Sequence, residues 1–430
     1  MDESLFTTVD ANISIISPPD TRFQWLHTNL NLGMKDVISS GKTLLTIIDT
    51  AGLVEGSFIQ GKGVGAQTLQ HTKLVDVLFH VIRVHDDDKH ISTYNGVVDP
   101  VQELHIVNQE ILMMDLDTIE HELMTIDELL HSRIGGEYLA FEKRTLLKAW
   151  EFLSGEERPQ QSEQFMRSKS KFKKAKLPPS CNGHAIRFGK WDLRERELLT
   201  TYNLLSAKEV VYLLNVSARD YLRIISTAHS PTDDMDTNTA AVEEQKKQKK
   251  VSSNVKFEAV KAVITSELGA NSAVLPVSCK WEWSLVEMDK NGELEEYWAA
   301  NATHKSCVNS LMKACYRAVG ILHFYTLTTL SEDEYDGKMD SNGQKIDPYR
   351  LKCWTLKVGS SVVDAAAMVD IHIARNFIRC DIVAFEDFHK CNGDKVKVIL
   401  EGRLKSETKK YVVNDGDIIL DFYYHKSPEI

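Results

Sequence analysis

An aspartate at the end of an apolar run, with a glycine three residues on, has the chemistry of a nucleotide switch. Asp49-Thr50-Ala51-Gly52 follows Leu44-Leu45-Thr46-Ile47-Ile48 in this way. In such a loop the carboxylate faces a magnesium ion, usually through water, and the glycine amide faces a γ-phosphate. D-x-x-G is a short motif, and its place at a strand end gives it weight. Two more segments leave buried runs in the same manner. Asn215-Val216-Ser217-Ala218 follows Val210–Leu214, and Ser278-Cys279-Lys280 follows Ala273–Val277. The three segments occur in the order in which a purine nucleotide site would need them.

The Asn215 loop bears on base choice. Guanine sites place N-K-x-D here: the Asn amide tethers neighbouring loops and can reach purine N7, and the Asp accepts from guanine N1–H and N2–H. Position 218 is Ala, which accepts nothing. Charged hydrogen bonds of this kind contribute about 1.5–3 kcal/mol, so adenine becomes at least as suitable as guanine. Ser278-Cys279-Lys280 matches the S-A-K loop that supports the base through backbone amides. The missing part is the triphosphate cradle, G-x-x-x-x-G-K-S/T. Gly41-Lys42-Thr43 does not supply it. Position 36 is Asp, no strand precedes, and the strand "LLTIID" follows in place of a helix whose N-terminus could hold an anion. No residue is assigned a catalytic role.

The elements that must position these loops form an α/β pattern. "ISII" (13–16), "LLTIID" (44–49), "VDVLFHVIRV" (75–84), "VVYLLN" (210–215) and "SAVLPVS" (272–278) read as strands. Helices are expected at "AQTLQHTKL", 193–205, 256–268 and 301–322. This alternation predicts a mostly parallel sheet. His80 lies within an apolar strand and reads as a core histidine. Trp281 and Trp283 read as packing near the base loop, and Asp86–Asp88 as a solvated strand end. Within 104–153, Leu112, Leu116, Ile119, Leu123, Ile126 and Leu130 step by fours and threes, an a/d seam. Gly135-Gly136 breaks it, and Leu139, Leu146, Trp150 and Leu153 form a returning helix. This reads as a helical hairpin packed on its own domain.

Arg167, Lys169, Lys171, Lys173, Lys174 and Lys176 crowd six basic groups into ten residues of a loop, a candidate RNA-backbone contact. Residues 226–254 have almost no large apolar side chain and are expected to be disordered. In the tail, "YRLKCWTLKVG", "FIRCDIVAFEDF", "KVKVILEG" and "YVVNDGDIILDFYY" look like strands around one short helix, "SSVVDAAAMV". That is a small α+β module of the β-grasp kind.

At 430 residues the chain suits two or three domains. Its net charge of −11 argues against a wholesale nucleic-acid coat but leaves room for a local basic patch. Seven scattered cysteines with no C-x-x-C pair read as free thiols in a reducing compartment, neither a disulfide framework nor a zinc site. No apolar run approaches about 18 residues, and "MDESLFTTVD" lacks a signal-peptide apolar region. A cytoplasmic protein with no membrane contact is expected.

With these residues in view, the chain resembles the YchF/Obg-like ATPase family over nearly its whole length. "DTAGLVEGSFIQGKGVGAQTL" is similar to the family's D-I-A-G-L-V-x-G-A…G-x-G-L-G-N-x-F-L, and "FTTVDANISIISPPDTRFQWL" to its F-C-T-I-D-P-N…V-P-V-P-D-x-R-F-x-x-L. "VVYLLNVSARDY" is similar to V-Y-L-V-N-L-S-E-K-D-Y, and "RCDIVAFEDF…YVVNDGDIILDF" to the C-terminal TGS module.

The resemblance implies a Ras-like P-loop NTPase-type sheet, a helical hairpin insertion and a β-grasp TGS domain. The expected boundaries are 1–98 and 201–322 for the nucleotide domain, 99–200 for the hairpin and its basic loop, and 323–430 for the TGS domain. It implies ATP in preference to GTP, magnesium as the only metal, hydrolase activity, and association with the ribosome or RNA. Carried over by motif, Thr8 and Asp49 would serve magnesium. Gly52 would meet the γ-phosphate, and Asn215, Val216, Ser278 and Cys279 the base. Leu53 stands where many GTPases keep a catalytic glutamine.

There are departures. The family's first strand, phosphate loop and first helix lie immediately upstream of the switch threonine. Here Met1 stands seven residues before Thr8, so that unit is expected to be missing, leaving neighbouring strand edges exposed. Ala218 replaces a Glu and Ala66 an Asn, and Asn376 stands where a Gly makes a left-handed turn. As written, the polypeptide is expected to hydrolyse ATP poorly. The alternative reading is a pseudo-ATPase scaffold that binds ribosome or RNA through its helical and TGS domains.

Overall fold

The computed structural model describes residues 12–16, 20–30, 37–38, 44–50, 52, 72–85, 99–132, 136–156, 183–227, 256–269, 272–329 and 349–425. Of the stretch 226–254 expected to be disordered, Ser226 and Thr227 end the helix Ala218–Thr227; its remainder, the basic segment 167–176, Thr8, Ala66, Asp86–Asp88 and Gly41-Lys42-Thr43 lie outside the described residues. By compactness the chain divides into two units, one of 1–13 and 48–314 and the other of 14–47 and 315–430. No described helix is long and apolar enough to cross a membrane.

In the first unit, three aliphatic runs form the strands β4 (Val77–Arg83), β5 (Glu209–Asn215) and β6 (Ala273–Val277), all parallel and in the order β4-β5-β6. β5 is the central strand. Val211, Tyr212, Leu213 and Leu214 are buried without alternation, as a parallel strand covered on both faces must be. Among the described residues β4 pairs on one side only. β1 (Asn12–Ile16) and β3 (Leu45–Asp49), mostly within residues 14–47 of the second unit, pair with each other in a two-stranded sheet of their own. The helices that flank these strands are α5 (Ala218–Thr227), α6 (256–267) and α7 (Cys279–Asn291).

The hairpin is α2 (Pro100–His131) and α3 (Glu137–Ser154). Asp99 caps α2 by accepting from the amides of Val101 and Gln102, with Pro100 at the first helical position. Gly155, in the left-handed region at φ 71°, ends α3. Leu116, Ile119 and Leu123 of α2 and Leu146, Ala149 and Leu153 of α3 are fully buried in one cluster, so the heptad seam is the inside of a helix pair.

A buried carboxylate connects this hairpin to the start of β5. Asp115 of α2 accepts from the Leu205 and Ser206 amides, at 2.9 and 2.7 Å, in the turn that leads into β5. Nearby, Lys208 donates its ammonium to the carbonyls of Lys73 (2.8 Å) and Val75, on the way into β4. β4 and β5 are thus anchored at their N-terminal ends by charged groups meeting backbone polar groups.

In the second unit, six strands are ordered β10-β9-β11-β7-β8-β2, with β7 (Ile321–Thr329) and β11 (Asp417–Tyr424) as a parallel central pair. β8 is Tyr349–Lys357, β9 is Phe377–Ala384, β10 is Lys405–Glu407 and β2 is Val37–Ile38. Helix α10 (Val362–Val369) buries Val362, Ala365 and Ala366 on one face of the sheet, the β-grasp arrangement. The other face is covered from an unexpected quarter. α1 (Thr21–Asn29) lays Phe23 and Leu26 against Tyr325, Leu351 and Cys353. Residues 14–47 therefore cluster with the C-terminal sheet, whereas their position in the sequence groups them with the first strands.

Several local expectations change. "KVKVIL" is helical (Lys395–Leu400): Asp394 accepts from the Val396 and Lys397 amides, and only Val398 is buried. The second half of "FIRCDIVAFEDF" is also a helix, Phe385–Lys390. The 301–322 helix is shorter, Val308–Val319, ending at Gly320 with φ 71°. Asn376 has φ −106°, so no left-handed turn is made there.

Burial pushes the Asp115 carboxyl up to about 6 from an ordinary 3.8, against the opposing pull of its hydrogen bonds. The folded state then holds a proton that the unfolded chain gives up, so the stability tied to this group falls as pH rises from about 4 to about 6. In Asp115→Asn that dependence should vanish. The difference in urea midpoint between wild type and variant, followed from pH 4 to 7, is the check, and a difference independent of pH contradicts it.

Candidate nucleotide site

The register of the parallel sheet sets the site. Arg83, Asn215 and Val277 lie side by side at the C-terminal ends of β4, β5 and β6. In open α/β sheets, ligands bind beyond these ends. The Val216 amide donates to the Val277 carbonyl at 2.8 Å, and the Val84 amide to the Asn215 carbonyl at 2.9 Å. The strands thus stay paired up to the point where the loops leave.

Asn215 joins two of those loops. Its Oδ1 accepts from the Cys279 amide at 3.2 Å, leaving the side-chain N–H groups to face a ligand. Val216 is buried and works as packing beneath the loop. Ser217 caps α5: its Oγ accepts from the Asp220 amide and donates to the Asp220 carboxylate at 2.7 Å. Asp220, paired also with Arg223 at 3.3 Å, is committed to the helix start. It does not replace the carboxylate that position 218 lacks. Ser278 is fully buried and caps α7 by accepting from the Trp281 amide. Cys279 is exposed.

The structure brings Asn215, Val216, Ser278 and Cys279 together. Asp49 ends β3 and is exposed, as is Gly52. Among the described residues no hydrogen bond or ion pair links these two to the base-side loops. Asp49 makes no ion pair there, which leaves its carboxylate available to a hydrated cation, and a Cβ at Gly52 would meet nothing within 4 Å. The donor set therefore fits a magnesium nucleotide. Asp49 would hold the ion through water, Gly52 would leave room for phosphate, and the Asn215 amide would meet the base.

His80 on β4 packs against Tyr212, with ring centroids 5.7 Å apart. Burial, with Arg187 nearby, lowers its pKa to about 4, so it is a neutral core histidine. Trp281 is buried against Tyr297 and His304. Trp283 is exposed and donates its indole N–H to Glu287 at 2.8 Å.

Sequence reasoning passed over Glu282. It accepts from the Ser306 hydroxyl and the Cys307 amide, both at 2.7 Å, and Tyr221 donates to the Lys305 carbonyl at 3.2 Å. Together they hold the 304–308 segment beside the base-side loops. This is why the helix expected from residue 301 begins later, at Val308. Burial, then Glu282 itself, push the Cys307 thiol well above its ordinary range. The available signal was slight: an acidic residue in the first turn of a Ser-capped helix.

The YchF-GTPase_C family model, described as a protein of unknown function (DUF933), matches residues 345–423. Obg-like ATPase 1 of Oryza sativa subsp. japonica is 27% identical over 414 residues, 96% of this chain and 83% of that protein. Ribosome-binding ATPase YchF of Bacillus subtilis (strain 168) is 25% identical over 418 residues, 96% and 89% of the two chains. The structure of the Schizosaccharomyces pombe YchF GTPase superposes with a TM-score of 0.62 at 22% identity, covering 97% of this chain and 89% of that one. Over almost its whole length the chain is similar to the YchF/Obg-like ATPases. Ala218 and the Glu282 clamp are the features of this chain that shape its candidate base side.

Replacing Glu282 by Ala removes two hydrogen bonds to a charged acceptor and should cost about 2 kcal/mol. Faster amide exchange confined to 304–308, together with a lowered urea midpoint, is the expected outcome. Unchanged exchange there means that Glu282 does not hold the segment.

Proposed function

We propose that this protein is a YchF/Obg-like family member that binds an adenine nucleotide with magnesium and works at the ribosome. The observation that carries the base assignment is the Asn215 Oδ1 to Cys279 amide bond at 3.2 Å beside Ala218. The loop tether is present, and the carboxylate that would select guanine is not. Thr8 and Asp49 would attend the magnesium and Gly52 the γ-phosphate, while Asn215, Val216, Ser278 and Cys279 line the base. A magnesium nucleotide supplies a charged phosphate whose presence or loss can be sensed by the Asp49–Gly52 loop. No G-x-x-x-x-G-K-S/T segment occurs in these 430 residues, and Leu53 cannot orient a water. This favours, as a second reading, a polypeptide that binds nucleotide and RNA without useful hydrolysis.

Ribosome association is supported by the similarity to the Bacillus subtilis ribosome-binding ATPase YchF. In this chain the basic segment Arg167, Lys169, Lys171, Lys173, Lys174 and Lys176 is the proposed RNA contact. Such contacts release counterions and weaken as salt rises.

Binding of fluorescent ATP and GTP analogues tests the base assignment. Asn215→Ala should weaken ATP about tenfold, equivalent to about 1.4 kcal/mol. Ala218→Asp should improve GTP relative to ATP by about 10- to 100-fold, the worth of charged bonds to the guanine edge. An unchanged ATP-to-GTP ratio in Ala218→Asp refutes the assignment. For the ribosome, co-sedimentation with ribosomal subunits should fall when the six basic residues are changed to Gln, and fall again as salt is raised. Equal sedimentation of wild type and variant at every salt concentration removes this segment from the interface.

A further inference from the structure

The second unit contains a cluster that the nucleotide chemistry does not use. Asp20, His323 and Cys353 bring one carboxylate oxygen, one imidazole nitrogen and one sulfur within 4.8 Å of one another, all three residues buried. They come from separate elements. Asp20 caps α1 by accepting from the Arg22 and Phe23 amides, His323 is on β7 and Cys353 on β8. Tyr325 is registered opposite Cys353, so His323 and Cys353 are diagonal neighbours on the sheet face that α1 covers.

The spacing is not that of a finished hydrogen-bond network. Asp20 Oδ2 and His323 Nδ1 are 3.6 Å apart. This is beyond a hydrogen bond, and it is near the edge of about 3.3 Å in a tetrahedron with zinc–oxygen and zinc–nitrogen bonds of about 2.0 Å. Two buried polar atoms at this place have no partner, His323 Nε2 and the Tyr316 hydroxyl. The Tyr316 ring packs edge-on against His323 with centroids 4.8 Å apart. Nδ1 is the nitrogen turned to Asp20, and Nε2 lies on the opposite side of the ring.

Charge favours the same occupant. A carboxylate and a thiolate balance a divalent cation, which removes most of the penalty of burying it. Arg22 approaches Asp20 at 3.7 Å, but it is matched by Asp415 through two bonds of 2.9 and 3.1 Å, so it does not stand as an unbalanced positive charge. The Tyr325 hydroxyl donates to Asp20 Oδ2 at 2.6 Å, the outer-shell partner that ligating carboxylates usually have. One oxygen, one nitrogen and one sulfur suit zinc and do not suit magnesium, which takes oxygen alone.

We propose that Asp20, His323 and Cys353 form a structural zinc site that pins α1 to the C-terminal sheet. The fourth position is filled by water. The absence of C-x-x-C spacing does not count against it, because the ligands come from elements far apart in sequence.

The test is a cobalt titration of the full chain after removal of metal with a chelator. A tetrahedral site with one thiolate gives visible ligand-field bands and a near-ultraviolet sulfur-to-cobalt band. About one cobalt per chain should bind, zinc should bleach the spectrum, and zinc alone should raise the unfolding temperature. Cys353→Ser should abolish the sulfur band and weaken binding at least tenfold, while Cys279→Ser, at the exposed thiol, should leave both unchanged. His323→Gln should lose the ligand-field bands. A wild-type chain without these bands overturns the proposal, and so does a sulfur band that survives in Cys353→Ser. The wild-type titration decides even where a variant does not fold.

Discussion

The parallel register of β4, β5 and β6 is the constraint on which the base side of the molecule depends. It sets Arg83, Asn215 and Val277 level, so the loops after β5 and β6 leave the sheet at the same height. The Val216 amide then reaches the Val277 carbonyl, and the Asn215 side chain reaches the Cys279 amide. A slip by one residue would turn every side chain to the opposite face and break both contacts.

Carboxylates that accept backbone amides recur as the device that holds irregular segments in place. Asp115 takes the two amides of the turn into β5, and Glu282 takes the Cys307 amide and the Ser306 hydroxyl. Asp415 accepts from the His323 amide while pairing with Arg22. A buried amide without a partner is costly, and one carboxylate satisfies two such donors with charge-assisted bonds. The cost is desolvation of the acid, visible in the raised pKa of Asp115. Loops held in this way keep a shape that their own sequences do not specify.

The base side and the switch loop divide the work of a nucleotide site unequally. The base side is built, with its tether, cap and clamp all within one compact unit. Ala218 offers no acceptor to a base, and Asp220, two residues on, is occupied by the helix start and does not replace it. Selectivity for a base follows from which buried or facing polar groups would be left unpaired. A site without that acceptor has no reason to prefer guanine.

Much of this was legible in the sequence. The strands at 77–83, 209–215 and 273–277 and the heptad seam of the hairpin follow from periodicity, because burial on one or both faces leaves a direct trace in residue type. That loops leave the sheet after Asn215 and Val277 was likewise legible, since each follows an apolar run. "KVKVIL" misled because alternation over six residues fits a strand, while Asp394, just outside it, supplies a helix cap. The Glu282 clamp was not legible, because a carboxylate reaching across to another loop leaves no periodic mark. Nor was the placement of α1 on the C-terminal sheet, or the meeting of Asp20, His323 and Cys353. The sequence by itself determined many of the elements, because local pattern encodes them. Only the tertiary structure decided which distant side chains meet, because such contacts depend on register and packing between elements that the chain order keeps apart.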